Sequence, residues 1–186
     1  GLSYYISTAA VTAIICYVSL GAGFIYLHSV GWYLTTEDVL FIVLDVAIMV
    51  MFGTALSSVI LYFVKNQGGA TAVVTIVSST YGFICGAYMP ISSFSNSIQS
   101  IIKSLPGTYG TILLHKQLMG APLDKLEEKY LPGQAVKAIR DAFDCNLYIG
   151  GDKVSVNSMY LVICAAVVAL IVLYLMINIL RRDKHE

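Results

Sequence analysis

Residues 159–180 read MYLVICAAVVALIVLYLMINIL, a run with no Asp, Glu, Lys or Arg that gives way at once to Arg181-Arg182-Asp183-Lys184. A helix needs roughly 20 apolar residues to cross a hydrocarbon core about 30 Å thick. An uncharged run of that length is read as a transmembrane span, from about Met159 to Leu180, because globular core elements are shorter. Three further stretches are similarly long and apolar, the second of them interrupted by Asp45: about Tyr4 to Leu27, about Val39 to Val64, and about Ala70 to Met89. The last of these carries Thr71, Thr75, Ser78, Ser79 and Thr80, which places it inside a bundle, its hydroxyls bonding to their own i−4 carbonyls or to a neighbouring helix. Composition agrees, since 12% of residues are charged where soluble domains run near 25%. The expected fold class is all-α, a polytopic transmembrane bundle of about four spans with short external re-entrant or interfacial helices and a small extracytoplasmic helical insert. Spans one to three occupy 1–89, the external segment 90–158, and the last span with its basic tail 159–186.

Orientation follows from Lys and Arg in short links. Arg181, Arg182 and Lys184 abut the last span and Lys65 lies between the second and third, so both links are expected in the cytoplasm, with the chain's N-terminal end. The turn from His28 to Asp38 has no Lys or Arg and belongs outside, as does everything from Pro90 to Ser158. The lysines of that last segment count little, because its length exceeds the loops over which the charge bias acts. Trp32, Tyr33, Tyr88 and Tyr160 then fall near the outer interface. Lys and Arg balance Asp and Glu at 11 each, so no basic field recruits nucleic acid. The chain begins at Gly1 without a charged leader before its first apolar run, and it reads as a piece of a longer chain rather than one with a signal peptide.

In the external segment, Phe94, Ile98, Ile101, Ile102 and Leu105 recur at helical spacing. They predict an amphipathic helix capped by Ser92 or Ser93 and stopped at Leu105-Pro106-Gly107. A second short helix is expected over about Thr108 to Met119, ending at Gly120-Ala121-Pro122. Both are read as interfacial or re-entrant elements over the bundle mouth. The helix following the Gly- and Pro-ended span marks Phe94, Ile98, Leu105 and Pro106 as candidates for an outer gate. From Leu123 to Asp144 the sequence is charged and amphipathic, with Leu123, Leu126, Tyr130 and Leu131 before a Pro132-Gly133 break and Val136, Ile139 and Phe143 after it. Leu147 to Val156, with Gly150-Gly151 at its centre, reads as a short hairpin.

The sequence offers no catalytic constellation. There is no G-x-x-x-x-G-K-[ST] phosphate loop, His28, His115 and His185 are widely separated, and Cys16, Cys85 and Cys164 sit in apolar runs with Cys145 alone in a polar one, so no metal site or internal disulfide is expected. Asp45 is the ionisable residue well inside a span, about nine ångströms from the middle of its helix. A carboxyl there costs roughly 2.5–3.5 kcal/mol, so it faces the bundle or a polar cavity and is a candidate for the substrate path; the alternative is a neutral side chain that only aids assembly. Gly53-x-x-x-Ser57 and Gly82-x-x-x-Gly86, with Pro90, are helix-packing candidates, either within the bundle or between subunits.

The run Gly82-Phe83-Ile84-Cys85-Gly86-Ala87-Tyr88-Met89-Pro90-Ile91, an amphipathic helix, and then Ser104-Leu105-Pro106-Gly107-Thr108-Tyr109 resemble the distal part of an ABC-2 type exporter permease. The resemblance covers about residues 1–120 and 157–186 and leaves the insert from Leu123 to Ile149 unexplained. It implies that these are the third to sixth of six spans, and that a second permease half completes the path. It also implies that ATP and Mg bind a separate ATP-binding cassette ATPase subunit, with no cofactor on this chain, and that the cargo is a drug, lipid, glycan or peptide. Two other readings compete: an ion- or proton-coupled carrier using Asp45, and a non-transporting membrane scaffold.

Overall fold

The computed structural model describes residues 2–64 and 66–182; Lys65, Asp183, Lys184 and His185 lie outside them. Among the described residues the helices are α1 (Leu2–Val30), α2 (Thr36–Tyr62), α3 (Gln67–Ile84), α4 (Asn96–Ile102), α5 (Pro106–Lys129), α6 (Gly133–Ala142) and α7 (Val156–Arg182). A 3₁₀ turn covers Ile91–Ser93, and β1 (Tyr148–Ile149) pairs antiparallel with β2 (Asp152–Lys153). The all-α membrane bundle is therefore what the chain forms, and three of the described helices, α1, α2 and α7, are long and apolar enough to cross a membrane.

α2 is the central element and packs against α1, α5 and α7. It begins on a capping box: Thr35 Oγ1 accepts from Asp38 N–H at 3.2 Å, and Thr35 N–H donates back to Asp38 Oδ2 at 2.9 Å. Two of the helix's orphan donors are thereby satisfied, and Glu37 and Asp38 lie at the positive end of the helix dipole. At the far end of the bundle Tyr5, Ala55 and Tyr174 pack together from α1, α2 and α7.

α3 departs from expectation in two ways. It runs over 18 residues rather than on to Met89, because Gly86 adopts φ +82° and ends it. Gly86 N–H bonds to Phe83 O at 3.3 Å and Ala87 N–H to Gly82 O at 3.1 Å, the paired bonds of a Schellman cap. Nor does α3 lie inside a bundle of this chain, since none of its residues is buried. Thr71, Thr75 and Ser78 instead donate to the carbonyls four residues back, at 2.7–3.1 Å.

The external segment also differs in its boundaries. The helix expected to be capped by Ser92 or Ser93 starts at Asn96 with Ser95 as its cap, since the chain first makes the 3₁₀ turn at Ile91–Ser93. The second helix is not short: α5 runs through Gly120-Ala121-Pro122 to Lys129. The physical reason is packing beyond the proline, where buried Leu123 joins Val136 and Cys145 in a small core bordered by Met119, Leu126, Leu131 and Ile139. Tyr130 and Phe143, expected on the oily face of the insert, are exposed instead. The Pro132-Gly133 break does separate α5 from α6, and Gly150 and Gly151, at φ +64° and +98°, make the tight turn of the hairpin that leads into α7.

Candidate functional site where α5 enters the bundle

α5 carries few strongly apolar residues, yet every residue from Gly107 to Leu113 is buried. Its start explains how. Pro106 is at the first helical position, where a missing N–H loses nothing, and Tyr81 of α3 brings its phenol oxygen within 3.3 Å of Gly107 N–H as acceptor. Thr108 Oγ1 donates to Ile102 O at 2.7 Å, Thr111 Oγ1 to Gly107 O at 3.2 Å, and Tyr109 Oη to Lys103 O at 3.0 Å. The buried hydroxyls are thus satisfied within or just before the helix, as burial demands.

Glycine lets the helix come close. A Cβ on Gly110 would collide with Met49 Sδ of α2 and lie 3.0 Å from Ile163 Cδ1 of α7. On Gly107 it would lie 2.5 Å from the Tyr81 ring. Close approach of this kind replaces the hydrophobic drive that is missing between helices in lipid. Above the entry, Ile91, Ile102, Tyr109, Ile112, Leu113, Leu147 and Met159 form the largest apolar cluster, with Phe94 packed on its rim.

Asp45 faces this region with 2% of its surface exposed. Tyr160 Oη donates to Asp45 Oδ1 at 2.5 Å and ties α7 to α2 across 115 positions, while Oδ2 has no hydrogen-bond partner among the described residues. Of the gate candidates, Phe94, Leu105 and Pro106 are half-buried and Ile98 points outward, 44% exposed. Gly53, Ser57 and Gly82 line an open groove of about 290 Å³ between α2 and α3, Gly53 with nothing within 4 Å of its Cβ position. Gly82 is covered by the Tyr88 ring, Gly86 serves as the helix end, and Pro90 precedes the 3₁₀ turn.

Sequence reasoning missed Tyr81, Gly107, Gly110 and Tyr160. The Gly107-x-x-x-Thr111 spacing, beside the Leu-Pro break, is the sequence signal for the close approach of α5. Among the described residues no group of three or more His, Cys, Asp or Glu could hold a metal ion, and the four cysteines are free.

A bundle of apolar spans entered by a half-polar helix on a glycine face defines a multi-pass α-helical membrane protein. The family model described as "ABC-2 family transporter protein" matches residues 2–175. The chain belongs to that family, and the match runs through the 123–149 insert as well as the spans. No curated protein and no solved structure matches it significantly.

Proposed function

We propose that the chain is a transmembrane permease subunit of an ATP-binding cassette exporter in the cell membrane. It forms part of the translocation path together with a second permease half, and a separate subunit binds ATP and Mg and drives it. The observation that carries this reading is the family match over residues 2–175. In this reading α3 is a fourth span whose unburied face meets the partner half. The N-terminal end and the basic tail are cytoplasmic, and 90–158 is extracytoplasmic. Phe94, Ile98, Leu105 and Pro106 act at the outer gate, over the entry of α5, and Asp45 lines the path beneath.

Mild solubilisation of the whole transporter is expected to bring down a nucleotide-binding subunit with vanadate-sensitive ATPase activity. Purification of the permease with no such subunit would end the exporter reading. Cysteine pairs linking the Phe94–Leu105 region to the Trp32 turn should block transport when crosslinked, and undisturbed transport would remove the gate.

The buried carboxyl with one unpaired oxygen favours a second reading, a proton-coupled carrier using Asp45. Asp45→Asn separates the two. An exporter keeps its vanadate-sensitive activity in this variant, whereas a proton-coupled carrier loses pH-dependent uptake.

A further inference from the structure

Besides α5 and the hairpin, one residue of unusual construction ties the insert to the bundle. Asp144, between α6 and β1, is a non-glycine residue in left-handed backbone, φ +51°, and only 7% of its surface is exposed. Such a conformation persists only where surrounding contacts hold it. Asp144 Oδ2 accepts the backbone N–H of Ile91 at 2.7 Å, a partner 53 positions earlier in the chain. That N–H opens the 3₁₀ turn, where no earlier carbonyl of the turn can receive it. Ile91 is itself a buried member of the main apolar cluster. Gly86 presses on the same pair: a Cβ there would lie 3.2 Å from Ile91 Cγ1 and 3.7 Å from Asp144 Oδ2. Beside them is a cavity of about 230 Å³ lined by Tyr88, Met89, Pro90, His115 and Phe143, space into which the 86–90 link can move.

We propose that the insert acts as a latch, in which Asp144 grips the amide of Ile91 and holds the link that follows α3 against the bundle. It rests on the fold alone, so it stands or falls separately from the exporter reading. The latch responds to acid. Burial holds the Asp144 carboxyl above the usual carboxylate range, against the opposing pull of the Ile91 amide, of His115 from α5 and of Lys103 from the end of α4. Tyr88 of the link borders the same cavity, and Cys145 and Asp141 flank Asp144 on its own segment. A released Asp144 returns to the ordinary value of about 3.9. The latched state therefore holds a proton at pH values where the released state does not. Latching is strongest at acid pH and weakens as pH rises through the raised value.

Hydrogen–deuterium exchange on the full transporter in nanodiscs, read at the peptide covering 86–94 and corrected for the intrinsic pH dependence of exchange, tests this from about pH 4 to 8. In the wild type, protection of that peptide should fall as pH rises. Asp144→Asn should flatten this slope, and His115→Ala should leave it in place. Asp144→Gly removes the carboxyl while relieving the left-handed backbone, so the fold is kept. This variant should speed exchange at the peptide about threefold to tenfold, as loss of one buried hydrogen bond implies. A slope that survives Asp144→Asn or disappears in His115→Ala would overturn the acid response. Wild-type protection in Asp144→Gly would overturn the latch itself.

Discussion

α3 and α5 are both too polar for comfortable contact with lipid, and the fold treats them oppositely. α3, the more apolar of the two, buries none of its residues in this chain and returns the hydroxyls of Thr71, Thr75 and Ser78 to its own backbone. α5 buries its first two turns between α2 and α7. What separates them is shape rather than oiliness. Gly107 and Gly110 give α5 a flat face that Tyr81, Met49 and Ile163 can reach, whereas the glycine of α3 toward its C-terminal end is covered by Tyr88 and the next one terminates the helix. In a bilayer, where apolar side chains gain little by leaving lipid for protein, close approach decides which helix goes inside.

The largest test of this contrast is Gly110→Leu. A side chain forced into the space of Met49 and Ile163 should destabilise the bundle by about 3 kcal/mol or more, read as a lower melting temperature in detergent. Gly53→Leu, on the open groove between α2 and α3, should change stability by no more than about 0.5 kcal/mol. If it abolishes transport without that loss, the groove is occupied in the working assembly. Next come the hydroxyls. Thr108→Val on α5 removes a buried bond to Ile102 O and should cost about 1–2 kcal/mol, while Thr75→Val on α3 should cost a few tenths, the net of a lost backbone bond and a side chain better suited to lipid. Equal effects would mean that α3 is as tightly packed as α5. The smallest effect is expected where α5 leaves the bundle: Arg140 pairs with Asp124, but Asp124 is 71% exposed, so Arg140→Ala should cost less than about 1 kcal/mol.

The three apolar spans were legible because apolar length is a local property, and α1, α2 and α7 formed where the runs lay. So were the Pro132-Gly133 break and the Gly150-Gly151 turn, where residue type dictates backbone conformation. The errors arose where one residue's role depended on distant contacts. Gly86 has the same identity in a packing motif and in a helix cap, and only its φ of +82° separates them. Pro122 reads as a stop, yet Leu123 packing on Val136 and Cys145 carries the helix past it. Asp45 was conspicuous as a carboxyl in an apolar run. Tyr160, its partner 115 positions away, carried no sign that it would turn its hydroxyl inward. Asp144 gave no local signal either, since nothing in its neighbours announces a bond to Ile91.

α5 is one continuous helix of 24 residues, a rod of about 36 Å. One end is gripped by the spans and the other carries the insert, so the bundle has a handle. A pull on the insert side would apply torque to Gly107–Leu113, where α5 comes close to Tyr81, Met49 and Ile163. Pro122 removes one rung of the ladder partway along and gives the handle a point of compliance. Force applied at the insert thus reaches the bundle along α5, beside the Asp144–Ile91 contact and the hairpin that leads into α7.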